Sequence, residues 1–348
     1  MMTKAVKIGK IIIGAGNRIA IQSMTNTLTS DYESTLAQIL KLKQAGCDIV
    51  RLAVCGDEDI TTCRRLIEKA DVPLVADIQF DYRLAVKCAE AGFAKIRFNP
   101  GNIGDEKRVG ILTDACKRNG VPIRIGVNSG SLDKEAVSLW GNTADALVES
   151  ALRHLRILEK LSFYETVISV KSSDVKMCVE AYRKLSAVTD YPLHIGITES
   201  GGGEGALLKS AVGIGSLLLD GIGDTIRVSL SEDPVSEVYA AKKILRACGA
   251  DKNYCEIISC PTCSRCKYNL IEIVSEMQNY VKDVSVPLKI AIMGCVVNGP
   301  GEAADCDFGV AGGEDKAVIF EKGKIIKTVT HDEVIPELKC RVDAYIKK

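Results

Sequence analysis

Apolar and polar positions alternate along this chain in blocks. Between residues 19 and 250 a short apolar run is followed by a polar turn and then by an amphipathic stretch, and the cycle repeats eight times. The apolar runs are Ile19–Met24, Ile49–Val54, Leu74–Ile78, Ala94–Asn99, Pro122–Val127, Val167–Lys171, Leu193–Thr198 and Thr225–Leu230. They are continuous and β-branched, as expected of parallel strands buried on both faces. The stretches between them, such as Asp31–Ala45, Asp57–Ala70, Asp105–Asn119 and Asn142–Lys160, carry helical spacing. Several open on Asp, Asn or Ser and close near Gly, the residues that cap helices. Eight strand–helix units in succession predict an α/β fold of the (β/α)8 TIM-barrel type, rather than a doubly wound open sheet. Residues 6–13 predict a short hairpin or strand under the barrel.

The pattern changes near Cys248-Gly249. Beyond it Glu256–Ser259 and Leu288–Met293 read as strands, and Asn269–Val281 and His331–Lys347 as helices. Phe308–Ala311 reads as a further strand, and the residues around Glu321-Lys322-Gly323-Lys324 as a hairpin. The expected organisation is a barrel over residues 1–250, binding the substrate, followed by a small α/β domain over residues 255–348.

Composition narrows the classes. The chain has 348 residues with 45 basic and 45 acidic side chains, so bulk charge suggests neither nucleic acid nor a membrane surface as partner. No run of apolar residues is long enough to span a bilayer, and the N-terminal residues lack the apolar core of a secretory signal. Fourteen cysteines without such a leader point to a reducing cytoplasm. Cys47, Cys88, Cys116 and Cys178 fall on apolar helical positions and are expected in the core.

Two cysteine motifs follow the strands of the second domain. Ser259-Cys260-Pro261-Thr262-Cys263 is a Cys-x-x-Cys turn, and Gly294-Cys295 leads into Asn298-Gly299-Pro300-Gly301-Glu302. Three thiolates and a carboxylate suit an iron–sulfur cluster with one weakly held iron open to substrate. Spacing alone equally allows a structural zinc on Cys260, Cys263, Cys266 and Cys295. The loop at Asn298 turns the balance towards a reactive cluster, because a buried structural zinc has little use for an open polar loop and an acid.

In such barrels the active site lies at the C-terminal ends of the strands. There this chain places Arg51, Asp77, Arg97, Asn99, Arg124, Asn128, Lys171, Glu199, Arg227 and Ser229. Five cations converge in a chain of zero net charge. Burying them together is unfavourable without an anion, and guanidinium forks match phosphate oxygens. A diphosphate or doubly phosphorylated ligand is the expected occupant. Asp77, Glu199 and Asp224 are the acids available to pair with these cations. The run Gly201-Gly202-Gly203-Glu204-Gly205 either approaches phosphate or only permits a turn.

These motifs resemble one family over essentially the whole chain, the bacterial 4-hydroxy-3-methylbut-2-enyl diphosphate synthases. The likeness is carried by Ile21-Gln22-Ser23-Met24-Thr25-Asn26-Thr27, Val75-Ala76-Asp77-Ile78, Ile96-Arg97-Phe98-Asn99-Pro100-Gly101-Asn102-Ile103-Gly104, Arg124-Ile125-Gly126-Val127-Asn128-Ser129-Gly130-Ser131, His194-Ile195-Gly196-Ile197-Thr198-Glu199, Arg227-Val228-Ser229-Leu230 and both cysteine motifs. It implies reductive opening of 2-C-methyl-D-erythritol 2,4-cyclodiphosphate in the non-mevalonate isoprenoid pathway. It implies a [4Fe-4S] cluster on Cys260, Cys263, Cys295 and Glu302, and electrons from a carrier such as flavodoxin or ferredoxin. Arg51, Asp77, Arg97, Arg124, Asn128, Lys171, Ser229 and Asn298 are the expected substrate contacts, and Glu199 is the candidate acid. The chain departs from the family at Gln79, where His is usual, and at Cys266, where a non-ligating residue is usual.

The resemblance also implies a homodimer in which one subunit's cluster domain caps its partner's barrel. Chain length agrees. The joint over residues 249–255 spans at most roughly 25 Å extended, whereas the last barrel helix returns the chain to the bottom of a barrel on the order of 30 Å tall. A head-to-tail arrangement removes that difficulty.

Overall fold

The computed structural model describes residues 2–98, 106–132, 134–296, 301 and 303–347. The chain divides into two compact units, Met1–Ala250 and Asp251–Lys348.

The first unit opens with an antiparallel hairpin of β1 (Val6–Ile8) and β2 (Ile11–Ile13). Eight parallel strands follow: β3 (Ala20–Met24), β4 (Ile49–Ala53), β5 (Leu74–Ile78), β6 (Lys95–Phe98), β7 (Ile123–Asn128), β8 (Thr166–Lys171), β9 (His194–Ile195) and β10 (Thr225–Ile226). Their order around the sheet is β8-β7-β6-β5-β4-β3-β10-β9. A single parallel bridge, Ile168 to Leu193, brings β8 to the chain entering β9 and rounds the sheet into a barrel. Between the strands run α1 (Tyr32–Gln44), α2 (Asp57–Ala70), α3 (Tyr82–Ala91), α4 (Glu106–Asn119), α5 (Lys134–Trp140), α6 (Ala144–Lys160), α7 (Val175–Val188) and α8 (Gly203–Leu219), and α9 (Pro234–Ala247) closes the unit. Asp31, Asp81, Thr143, Asp174 and Asp233 cap five of them, each side chain accepting a first-turn N–H.

The predicted strands and the sheet class are thus present, with two differences. The seventh and eighth strands were expected to run to Thr198 and Leu230, but their ladders stop at Ile195 and Ile226. The reason is local. A side chain at Gly196 would collide with the Arg227 carbonyl and with Lys171, so the residue after the seventh strand has no room for one.

Strand periodicity sorts the barrel's residues into two shells. One set, including Ile123, Ile125 and Val127 of β7, packs outward against the helices. The opposite set faces inward. Its lowest layer is apolar: Ala20, Ile49, Val75 and Val167 pack with Val6, Ile8 and Ile13 of the hairpin, which stoppers the barrel as its sequence predicts. Above that layer the inward positions are charged, which sets up the site.

In the second unit β11 (Cys255–Ser259), β12 (Leu288–Met293), β13 (Phe308–Gly312), β14 (Ala317–Glu321) and β15 (Lys324–Val329) form one sheet in chain order. The first three strands are parallel and the last two antiparallel. Lys322 and Gly323, both at positive φ, make the tight turn between β14 and β15. Helices α10 (Leu270–Val281) and α11 (Val334–Ile346) cover the sheet through Ile273, Met277, Leu338 and Val342. Both cysteine motifs lie directly after strands, the first after β11 and the second after β12. Cys47, Cys63 and Cys116 are buried in the first unit, where burial pushes each thiol up to about 12, so they pack as neutral side chains.

Candidate active site

The barrel interior is built by cross-strand register. Asp77 lies opposite Arg97, and Arg97 opposite Arg124, so one row across β5, β6 and β7 reads acid, base, base. Arg51 on β4 sits two residues below Ala53, whose register partner is Asp77. Asn128 at the end of β7 pairs with Lys171 at the end of β8. Four of the five cations of the sequence-derived ring, Arg51, Arg97, Arg124 and Lys171, and its acid Asp77 therefore come from neighbouring strands and share the inward face.

Partners differ from cation to cation. Arg97 donates to Asp77 Oδ1 at 2.8 Å, and Arg51 Nε lies 3.6 Å from Asp77 Oδ2. Arg51 also points two N–H groups at the Met24 sulfur, at 3.1 and 2.9 Å. Arg227 forks onto Glu237, at 3.2 and 3.1 Å. Lys171 Nζ meets His194 Nε2 at 3.3 Å. Lys95 donates to Gln22 Oε1 at 3.3 Å. Arg124, only 1% exposed, leaves Nε and Nη1 without a partner, and Arg97 leaves Nε so. Six cationic side chains thus face two carboxylates among the described residues.

The electrostatics follow. Burial, with Arg227 and Arg97 nearby, lowers Arg51 to about 9 despite the pull of Asp77. Burial and neighbouring cations also hold Arg124, Lys95 and Lys171 well below their ordinary values. Burial alone would raise Asp77, but Arg51 and Arg97 overcome it and hold the carboxyl below the usual range. Burial is the first cause of each cation's shift, and the crowding of like charges adds to it. Gly126 and Gly196 make the room. A Cβ at Gly126 would stand 2.7 Å from Arg97 Nε, and one at Gly196 would stand 2.8 Å from Lys171 Nζ.

Other predicted residues are placed as follows. Ser229 and Asn128 are half-buried beside this ring. Glu199 is exposed at φ +53°, a left-handed conformation that side chains rarely adopt and that recurs at functional sites. Asp224 does not balance the cations. It accepts from Thr3 Oγ1 at 2.6 Å and from the Leu193 amide at 2.7 Å. The glycine run forms the turn into α8, with Gly201 and Gly203 at positive φ, and the Gly203 amide is held by Glu232 at 2.8 Å. Gln79 is exposed. Asn99, Asn298 and Glu302 lie outside the described residues.

Three interior residues escaped the sequence reading: Lys95, His194 and Glu237. Lys95 stands two residues before Arg97 on the same strand, so period two would have found it. Glu237 sits on the buried stripe Pro234, Val238, Ala241, Ile244 of α9, where a carboxylate is out of pattern. His194 opens the family motif His194-Ile195-Gly196-Ile197-Thr198-Glu199, but it also opens an apolar strand, and nothing in its spacing assigns it a role.

In the second unit the Gly294 amide donates to Cys260 Sγ at 3.2 Å. A Cβ on Gly294 would come within 3.1 Å of Cys266 Sγ and 3.5 Å of Cys260 Sγ. Cys266 donates to the Tyr268 carbonyl, and Tyr268 in turn donates to Met293 O at 2.8 Å. Cys263 is exposed and Cys295 half-buried. The described residues thus bring Cys260 and Cys266 together at Gly294, adjacent to Cys295, and contain no group of three metal-ligating side chains.

Comparison with known proteins covers both units. Residues 3–242 match the GcpE TIM-barrel domain and residues 256–344 the GcpE protein C-terminal domain. The chain is 51% identical to the 4-hydroxy-3-methylbut-2-en-1-yl diphosphate synthase (flavodoxin) of Caldanaerobacter subterraneus subsp. tengcongensis, over all of this chain and 98% of that one. It is 52% identical to the Clostridium perfringens protein of the same name, over 97% of each. Among solved structures, 3-dehydroquinate dehydratase from Geobacillus kaustophilus superposes with a TM-score of 0.51 at 14% identity, over 71% of this chain and 98% of that one, a likeness of fold alone. With matches to both domain models and half of its residues identical to full-length relatives, the chain belongs to the GcpE family.

Proposed function

We infer that the chain is a 4-hydroxy-3-methylbut-2-enyl diphosphate synthase. It takes two electrons and a proton, opens 2-C-methyl-D-erythritol 2,4-cyclodiphosphate and releases water, as a flavodoxin-type carrier supplies the electrons. The observation that carries this is the barrel interior, where six cations face two carboxylates and a buried guanidinium has donors without partners. A cyclic diphosphate supplies the missing charge in the form that guanidinium forks accept.

The residues divide the work. Arg51, Arg97, Arg124 and Lys171 hold the diphosphate, with Asn128, Ser229 and Asn298 adding hydrogen bonds. Asp77 fixes the directions of Arg97 and Arg51. Glu199, held outward by its left-handed backbone, delivers the proton to the departing oxygen.

The second unit fits a [4Fe-4S] cluster. Its thiols follow two adjacent strands, a side-chain-free position at Gly294 leaves room between them, and an amide already donates to Cys260 sulfur, as amides do around cluster thiolates. Cys260, Cys263, Cys295 and Glu302 would hold it. When bound, the cluster supplies electrons singly to the opening ring. A head-to-tail homodimer, in a cytoplasmic setting, would bring one chain's cysteine unit to its partner's barrel.

Anaerobically purified protein should contain iron and acid-labile sulfide, and should turn over the cyclodiphosphate with a reduced flavodoxin-type donor. Stoichiometric zinc without sulfide would overturn the reading in favour of a structural metal, with Cys266 beside Cys260 as a ligand. Mixing inactive Cys295→Ser and Glu199→Gln chains should restore part of the activity. No recovery after verified subunit exchange would place the whole site in one chain.

A further inference from the structure

We propose that His194 is a positioning residue for Lys171, the neutral acceptor that holds its ammonium in the barrel mouth without cancelling its charge. The inference rests on the barrel as the diphosphate site.

Three other cations at the mouth are held by negative groups. Arg97 and Arg51 share Asp77, and Arg227 has Glu237. Each such pair fixes a direction but offsets a charge. Lys171 forms no ion pair among the described residues. Its contact is His194 Nε2, at 3.3 Å, and both side chains are buried. An ammonium carries only donors, so Nε2 must accept. The ring proton then lies on Nδ1, which stands 2.7 Å from Thr225 Oγ1 and donates to it. The neighbouring strand β10 thereby selects the tautomer that β8's lysine requires. Burial, followed by Arg124, Lys171, Lys95 and Arg51, holds His194 well below its ordinary range, so the ring stays neutral in this surrounding.

The place in the fold explains the need. The barrel ladder is thinnest between β8 and β9, where one bridge, Ile168 to Leu193, joins the strands. Tyr182 clasps the same seam. It donates to the His194 carbonyl at 2.7 Å and accepts from the Val170 amide at 3.2 Å. The His194 backbone is therefore anchored to the strand that carries Lys171. Gly196 keeps the next inward position clear, since a Cβ there would press on Lys171 Nζ. A carboxylate in place of the imidazole would also hold the lysine, but would return it to a neutral pair. A neutral imidazole holds the lysine and leaves its whole positive charge for the ligand.

The test is calorimetric titration of the cyclodiphosphate into the intact, anaerobically prepared protein, with circular dichroism and thermal melting to establish folding. His194→Ala should weaken binding about tenfold, the scale of a hydrogen bond to a charged group. His194→Gln, whose amide oxygen reaches the Nε2 position, should recover most of that loss. His194→Asn, which reaches only the Nδ1 position, should not. In a Lys171→Ala background, His194→Ala should change affinity by less than about twofold, because coupled residues lose their effect together. Losses that multiply independently would overturn the proposal, as would equal affinities of the Gln and Asn variants. The Gln and Asn pair decides the matter if His194→Ala does not fold. A parent protein that fails to bind the cyclodiphosphate would instead sink the diphosphate site, and this inference with it.

Discussion

Replacing Arg124 by Met separates ligand binding from folding, because the two should move in opposite directions. Arg124 is fully buried and leaves Nε and Nη1 without partners, while Arg51 and Arg97 repel it. A buried donor without a partner costs about 1–3 kcal/mol. Met keeps most of the apolar stem and removes both donors and the charge, so ligand-free protein should gain roughly 1–3 kcal/mol. For a unit of this size each kcal/mol moves the melting temperature by about 2–4 °C. The ligand-free variant should therefore melt about 2–12 °C higher than the parent. Binding goes the other way. Loss of a buried, hydrogen-bonded charge contact costs about 2–5 kcal/mol, which is about 30- to 5,000-fold in affinity. At a ligand concentration 100 times the parent's Kd, the parent gains about 2.7 kcal/mol of stability and the variant gains far less. Scanning calorimetry with and without cyclodiphosphate should show the order of melting temperatures reverse. An Arg124→Met protein that melts lower without ligand, yet keeps the full ligand-induced shift, would show that the guanidinium is structural and that the charge argument fails.

Other consequences are as direct. His194 has a folded-state pKa depressed below 6.5, so as pH falls through 6.5 the unfolded chain takes up a proton that the folded one refuses. Stability should drop on the acid side with a limiting slope of about 1.36 kcal/mol per pH unit from this group. Urea midpoints of His194→Gln between pH 5 and 7.5 should lack that component, and identical slopes would refute it. Gly126→Ala puts a methyl 2.7 Å from Arg97 Nε and should break the Arg97–Asp77 bond, weakening substrate binding about tenfold while the fold survives. Unchanged affinity would show that Arg97 is not needed in that position. Cys266→Ser should keep iron and sulfide near parental content, whereas Cys295→Ser should lose them. The reverse pattern would make Cys266 a ligand.

The fold was legible because its strands are buried on both faces. Val50, Leu52, Ile123 and Val127 must satisfy helices outside, while the inward positions had only to be small, apolar at the bottom, or charged at the top. Continuous apolar runs survive that constraint and can be read directly. The hairpin at Val6–Ile13 was legible for the same reason, since its buried side chains complete an apolar layer. Strand ends were not, because Gly196 and Gly223 yield to side chains from neighbouring strands, and such neighbours are invisible along the chain. The cation ring was legible through Arg51, Arg97, Arg124 and Lys171, which interrupt apolar strands. Its balance was not. Asp224 lies at a strand entrance and turns to backbone amides, whereas Glu237 reaches the ring from a helix. Pairing of this kind depends on which helix face meets which strand. The cysteine motifs suggest a metal by spacing alone, whereas the approach of Cys260 and Cys266 to Gly294 depends on two parallel strands lying side by side.

The cations of this barrel are held by four kinds of partner, and the kinds have a physical order. Carboxylates take Arg97, Arg51 and Arg227, a thioether shares Arg51, the Gln22 amide takes Lys95, and a neutral imidazole takes Lys171, while Arg124 has two donors with no acceptor. Negative compensation thus decreases from β5 and β10 towards β7 and β8. On the proposed function, an incoming dianion would be drawn to the side where its charge is least anticipated, between Arg124 and Lys171. That asymmetry would orient the ligand, because reversing a cyclic diphosphate would move its charge towards Asp77 and Glu237. It also explains why the layer that ordinarily fills a barrel with branched apolar side chains is confined here to the bottom. Outward packing against the helices carries the fold, and the interior is left to be completed by the anion it binds.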